Sequence, residues 1–185
     1  PLLDATWTNE DGDFVWSSTA INWEQMGQAY AFSNGATATF TDDGCGTIHL
    51  KGTLRPSEVL VDNTLGKDYE WVAHADGGKL AGDMTLTKRG DGKLTISLAN
   101  EYTGGTFVED GTLVAGHIQA FGTGDITVKG GSLDLQNLAV TNKVTVNAGS
   151  FLGTAYDGVL TVTGDATLGD NTTASSVNLK AAYIK

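Results

Sequence analysis

Four stretches of this chain repeat one pattern, and that pattern constrains the fold more than any other feature. They read TFVEDGTLVAG at 106–116, ITVKGGSLDLQ at 126–136, VTVNAGSFLGT at 144–154 and LTVTGDATLGD at 160–170. In each, three residues of alternating strand end in valine, two or three turn residues follow, and a second short strand begins. The closing valines are Val108, Val128, Val146 and Val162, at spacings of 20, 18 and 16. Such a period is too short for a propeller blade and suits one coil of a β-solenoid. No single coil buries its own apolar face, so stability must come from neighbour on neighbour. The four valines are expected to stack as one internal file, and Leu113, Leu133, Phe151 and Leu168 as a second. His117–Phe121 and Leu138–Val140 are candidates for a third strand, with arcs of different length absorbing the changes in spacing. A weaker fifth copy starts at Ser176–Leu179.

The composition agrees with this pattern. Of 185 residues, 25 are Gly and only 2 are Pro, while 40% are hydrophobic. Collagen would need Gly at every third position and abundant Pro. Many short strands between tight turns remain, because Gly enters positive φ at no steric cost. Further alternating runs lie at Thr37–Phe40, Thr47–Leu50, Val59–Val61, Met84–Thr87 and Leu94–Leu98. Only Asn22–Ala31 reads like a helix, and Gly27 weakens it. The rival fold is an antiparallel meander, since a period of two does not separate parallel from antiparallel pairing. One Asp-Gly, at 110–111, suits a hairpin, but its counterparts are Gly-Gly and Ala-Gly. The expected class is all-β, a parallel β-helix (β-solenoid).

Residues 1–80 differ from the rest. They hold Trp7, Trp16, Trp23 and Trp71, with Phe14, Tyr30, Phe32 and Phe40. This region is expected to be an aromatic-rich N-terminal cap or a set of irregular first coils, since large aromatic side chains suit an end with few coils to lean on. Residues 81–185 would supply regular coils, continuous with the first region. The chain starts without Met, PLLDATW lacks the features of a signal peptide, and AAYIK offers little cap-like material. All three fit a fragment of a larger precursor. No apolar run approaches 18 residues, so no transmembrane helix and no direct membrane insertion is expected.

Several function classes are excluded. With 11 basic against 22 acidic residues, the net charge is −11, and a phosphate backbone or an anionic membrane lacks its basic footprint. Cys45 stands alone, so it forms no intrachain disulfide or thiolate site and reads as an apolar filler. His49, His74 and His117 have no metal-ligand spacing. Asp91, Asp110, Asp125, Asp157 and Asp170 sit in Gly-rich turns, and no glycosidase pair stands out. Asp42, Asp43, Asp62 and Asp91 offer oxygen ligands for calcium, yet no EF-hand loop or nonapeptide tandem frames them. No catalytic residue, metal or cofactor is therefore assigned. Trp7, Trp16, Trp23 and Trp71 would offer a glycan-stacking platform if exposed; burial in a cap is the competing reading.

The stretch Leu86–Val114 reads LTKRGDGKLTISLANEYTGGTFVEDGTLV. It resembles the autotransporter-associated β-strand repeat, also called the passenger-associated transport repeat. The matching positions are Leu86, Thr87, Lys88, Gly90, Gly92, Leu94, Asn100, Tyr102, Gly104, Gly105, Thr106, Val108, Gly111, Thr112 and Leu113, with Ile96 in place of a usual Leu. The stretches ATWTNEDGDFVWSSTAINW and FSNGATATFTDDG look like the segment that opens such regions. The resemblance implies a right-handed parallel β-helix, exported and displayed at, or released from, a bacterial outer surface. It implies a larger precursor with a membrane barrel or other anchor, and it transfers no catalytic residue. The expected function is a structural or adhesive passenger segment, a spacer or scaffold that aids secretion. Its candidate partners are the rest of the precursor and a host or extracellular glycan or protein. A glycan-binding module on the Trp-rich region is the alternative. Read from the residues alone, Gly90 and Gly92 permit a sharp corner, and Asn100 bonds backbone or joins a ladder. Tyr102 packs over Gly104 and Gly105. A phosphate cradle would need a helix after these glycines, and none follows.

Overall fold

The computed structural model describes residues 3–169 and 181–184. Asp170 and the fifth copy at Ser176–Leu179 lie outside the described residues. The strands begin with β1 (Asp4–Trp7), β2 (Val15–Trp16), β3 (Trp23–Gln25), β4 (Gln28–Tyr30), β5 (Thr37–Phe40) and β6 (Gly46–Leu54). Next come β7 (Glu58–Asp62), β8 (Tyr69–Leu80), β9 (Thr85–Arg89), β10 (Lys93–Ile96), β11 (Thr106–Val108) and β12 (Thr112–Ala115). The chain continues with β13 (Ile126–Val128), β14 (Ser132–Asp134), β15 (Val144–Val146) and β16 (Gly149–Leu152). The last are β17 (Val159–Val162), β18 (Ala166–Gly169) and β19 (Ala181–Ile184).

These strands form two sheets. The first has the order β19-β17-β15-β13-β11-β9-β7-β5-β1-β3-β4, and the second β18-β16-β14-β12-β10-β8-β6-β2. From β5 onward every neighbouring pair is parallel, and consecutive strands alternate between the sheets. That is a parallel β-helix and not a meander. Tight corners such as 90–92 and 109–111 join first-sheet strands to second-sheet strands. Looser arcs such as 97–105 and 116–125 return the chain.

The internal files follow from the period of two. Val108 pairs with Val128, Val128 with Val146, and Val146 with Val162. Leu113 pairs with Leu133, Leu133 with Phe151, and Phe151 with Leu168. The residue between two inward side chains, such as Thr127 or Thr145, faces out and is only partly covered. The valine file continues upstream through Lys88, Val61 and Phe40, so the two sheets run unbroken across residue 80.

Two expectations are corrected. Asn22–Ala31 is not a helix. Trp23 pairs antiparallel with Tyr30, and Gln25 with Gln28, around Met26 and Gly27 at φ 53° and 75°. Two successive positive φ values make a type I′ turn, whose twist matches a hairpin. Nor are His117–Phe121 and Leu138–Val140 strands; the first forms turns and the second is irregular. Their arcs are tied to neighbouring coils by scattered backbone bonds instead of a ladder, as from Asn100 N to Gln119 O (3.0 Å) and Asp157 N to Val140 O (3.0 Å).

The N-terminal end is an aromatic cluster. Trp16 lies 5.1 Å from Trp23 and 5.7 Å from Trp71 between ring centroids, while Phe40 stacks on Trp7 at 5.7 Å. Phe32 closes edge-on against Trp16. The loop that leads into this cluster is clipped by buried Asn22. Its Oδ1 accepts Asp11 N at 2.8 Å, and its Nδ2 donates to Val15 O at 2.9 Å. The large rings fill the end coils, where short two- and three-residue strands offer little apolar surface of their own.

Candidate functional site

The matched motif spans a corner and an arc. At the corner, Gly90 has φ 68°, and a Cβ there would lie 2.3 Å from Asn63 O of the preceding coil. A Cβ on Gly92 would lie 2.4 Å from Asn63 Nδ2. Gly111, one coil on at φ 63°, would place a Cβ 2.2 Å from Gly90 O. The glycines are therefore required by the close approach of successive corners as well as by the turn. Asn63, which the sequence reading passed over, fills the corner below. Its Nδ2 donates to Lys67 O (2.8 Å) and Lys93 O (3.1 Å). An Asn directly after an alternating strand is the signal that marks it, because Asn replaces Gly in tight turns.

Lys88 lies inside the solenoid. It stands between Val61 and Val108 in the valine file and is fully buried. Its Nζ donates to Arg89 O and, at 2.8 Å, to Gly90 O. Those carbonyls belong to the corner itself, so the ammonium holds the turn from within. Burial pushes Lys88 down to about 8, opposed by the nearby carboxylates of Asp62 and Asp110. Leu86 and Leu94 flank the corner on the two inner faces.

In the arc, buried Asn100 bridges three coils. Its Oδ1 accepts Leu80 N at 2.8 Å and its Nδ2 donates to Ala120 O at 2.8 Å. Tyr102 is fully buried, and its hydroxyl shares a 2.7 Å hydrogen bond with Thr106 Oγ1. Burial raises the Tyr102 phenol well above its ordinary range. Gly104 packs against Asp83 O and Met84 O of the preceding coil, and Gly122 of the following coil sits against Tyr102 O. The glycine that the Tyr102 backbone needs is thus one coil further on. Asn142 repeats the theme, with Nδ2 2.8 Å from Gly124 O. Val108 and Leu113 carry the motif into both internal files.

The other candidates are dispersed. Trp7, Trp16, Trp23 and Trp71 are all 0% exposed, which corrects the glycan platform. Each ring packs on other aromatic rings, leaving no indole face for a sugar. Asp42 accepts Thr64 N and Thr64 Oγ1, both at 2.7 Å, and those bonds hold its carboxyl below the usual range. Among the described residues, no three His, Cys, Asp or Glu side chains are gathered to hold a metal. Cys45 is a free, partly buried thiol packed against the core. Outside the corner, Glu109 bridges Arg89 and Lys129 on successive coils. No helix among the described residues is long and apolar enough to cross a membrane.

Comparison with known proteins places this geometry. The passenger-associated-transport-repeat family pattern matches residues 86–115, the same corner and arc. A protein of Brucella suis biovar 1 (strain 1330) named Adhesin BmaC autotransporter is 32% identical over 127 residues. The alignment covers 57% of this chain and 4% of that protein, so the chain spans a small part of its relative. No solved structure matches. The corner and arc are thus the stretch that matches the passenger-associated transport repeat, and they sit within a parallel β-solenoid.

Proposed function

We propose that this chain is a spacer within the passenger of a larger exported bacterial surface protein, and that its coils assist secretion by folding one upon another. The observation that carries the reading is the unbroken parallel register from Thr37 to Val162. Each coil completes the core of the one before, so order propagates along the chain without a distant contact. The match to a passenger-associated repeat supports this, as does a relative named as an autotransporter adhesin. Adhesion is a property of that relative's name; in this chain the four Trp rings are internal, and the outer faces of the coils are exposed surface.

The test uses the parent protein. Removing residues 109–128 deletes one whole coil and joins Val108 to Lys129, where Val128 stood before. A spacer keeps surface display after that deletion. Removing 109–118 takes part of a coil, breaks both files and blocks display. Equal loss of display from both deletions would sink the spacer reading.

A further inference from the structure

We infer that the outer edge of β4 is a homotypic interface, pairing with β4 of a second copy of this chain about a two-fold axis. The first sheet runs two strands past β1, through β3 and β4, whereas the second sheet stops at β2. Among the described residues β4 is the rim, and Gln28, Ala29 and Tyr30 are all exposed. The turn geometry fixes which backbone groups point outward. In a two-residue type I′ hairpin the flanking pair, Gln25 and Gln28, exchanges hydrogen bonds. The next pair, Glu24 and Ala29, is then the non-bonded one, so the N–H and C=O of Ala29 face away from β3.

Open edges are ordinarily blunted by charge, Pro or a bulge. This one has none of them. Residues 25–41 contain no Asp, Glu, Lys, Arg or His, in a chain of net charge −11. Glu24, the ionisable side chain of the hairpin, is folded onto its own turn, accepting Gly27 N. Exposed apolar side chains gather at the same end: Leu3, Ile21, Tyr30 and Met26, the last 92% exposed. Leu3 N lies 3.3 Å from Gln25 Oε1, which ties that residue to the hairpin.

A second copy is the occupant that these features fit. The chain is acidic overall, yet its rim strand carries no charged side chain, so two copies can pair along it without like charges opposed on the strand itself. A two-fold places Ala29 opposite Ala29 of the partner subunit, exchanging two backbone bonds. Gln28 then faces Tyr30 of the partner subunit. The strand is self-complementary, as an isologous contact requires. So short a pairing falls in the weak, transient class.

Sedimentation velocity on the 185-residue chain tests this. The chain is expected to show a reversible monomer–dimer equilibrium. Ala29→Pro removes the outward N–H and should leave a monomer, with far-UV circular dichroism and Trp emission unchanged. Two charge variants decide the case even where proline disturbs the cap. Gln28→Lys/Tyr30→Lys opposes like charges across the axis and should be monomeric. Gln28→Lys/Tyr30→Glu opposes unlike charges and should dimerise at least as well as the parent, less so at high salt. A parent chain that stays monomeric at its highest soluble concentration overturns the inference. So does a dimer that survives Ala29→Pro or the like-charge pair, or an unlike-charge variant that fails to associate.

Discussion

Lys88 stands opposite Val108 in the parallel ladder, and both side chains are sealed from solvent. A cation thus occupies a place in a file of valines. It is tolerated because its ammonium reaches past the file to the corner carbonyls of Arg89 and Gly90. A buried amine without such acceptors would be strongly destabilising.

This placement predicts a pH dependence. Burial lowers Lys88 from 10.5 to about 8, so between those values the unfolded chain binds more protons than the folded one. The associated stability is complete above 10.5 and is lost as pH falls through 8. Its full extent is about 3 kcal/mol. Urea midpoints should therefore rise from pH 8 toward pH 10 in the parent and stay flatter in Lys88→Met. The comparison stops near pH 10 because the raised Tyr102 phenol acts with opposite sign: its stability is full below its unfolded pKa and declines above it. Parallel pH profiles for the two proteins would refute the account.

Corner glycines separate strain from collision. Gly66→Ala meets no atom within 4 Å at φ 84°, so it carries backbone strain of about 1 kcal/mol. Gly111→Ala adds contact with Gly90 O at 2.2 Å and Gly92 O at 2.4 Å, neither of which can swing aside. It should cost at least about 2 kcal/mol more in denaturant unfolding. Equal losses at the two sites would mean the corners are not closely stacked.

Asn100 links three coils through two bonds, so its replacement should be cooperative in effect. Asn100→Ala leaves Leu80 N–H and Ala120 C=O without their side-chain partner, at about 2–4 kcal/mol. Asn100→Asp keeps the acceptor for Leu80 but sets a carboxylate against Ala120 O. That carboxyl has a raised pKa in the folded state, so its deficit relative to the parent should shrink as pH falls toward 4. Hydrogen exchange at the Leu80 amide reads the first bond directly: faster in Asn100→Ala, and little changed in Asn100→Asp.

The buried indoles predict a spectroscopic result. With Trp7, Trp16, Trp23 and Trp71 all covered, emission should be blue-shifted and weakly quenched by iodide. Added oligosaccharide should leave it unchanged. Strong iodide quenching in the folded chain would show an exposed Trp and restore the glycan platform.

Much of the fold was legible because one residue type recurs at one place in each coil. Val108, Val128, Val146 and Val162 declared a file, and Leu113, Leu133, Phe151 and Leu168 declared the other. Lys88 hid upstream because a charged residue reads as outward-facing; only its register opposite Val61 shows it is internal. The hairpin at Trp23–Tyr30 was obscured because apolar residues at mixed spacing suit a helix, and Met-Gly is a less usual type I′ pair than Asn-Gly. Apolar arcs at His117–Phe121 and Leu138–Val140 looked like strands because burial alone gives the same residues; Ala120, Phe121 and Val140 are indeed internal. The sites of Asn63, Asn100 and Asn142 depend on which carbonyl lies one coil away, as Lys93 O does for Asn63, and that depends on the stacking itself.

The arcs have a further consequence. From 116–125 to 135–143 to 153–158 they shorten, while the strands they connect remain three or four residues long. Perimeter is therefore uncoupled from rise. A peptide grafted into an arc would lengthen a loop and leave both ladders intact. Its height would be set by the number of coils beneath it, in steps of about 4.8 Å. The solenoid is in that sense a graduated rule, on which cargo is addressed by coil and not by its own sequence.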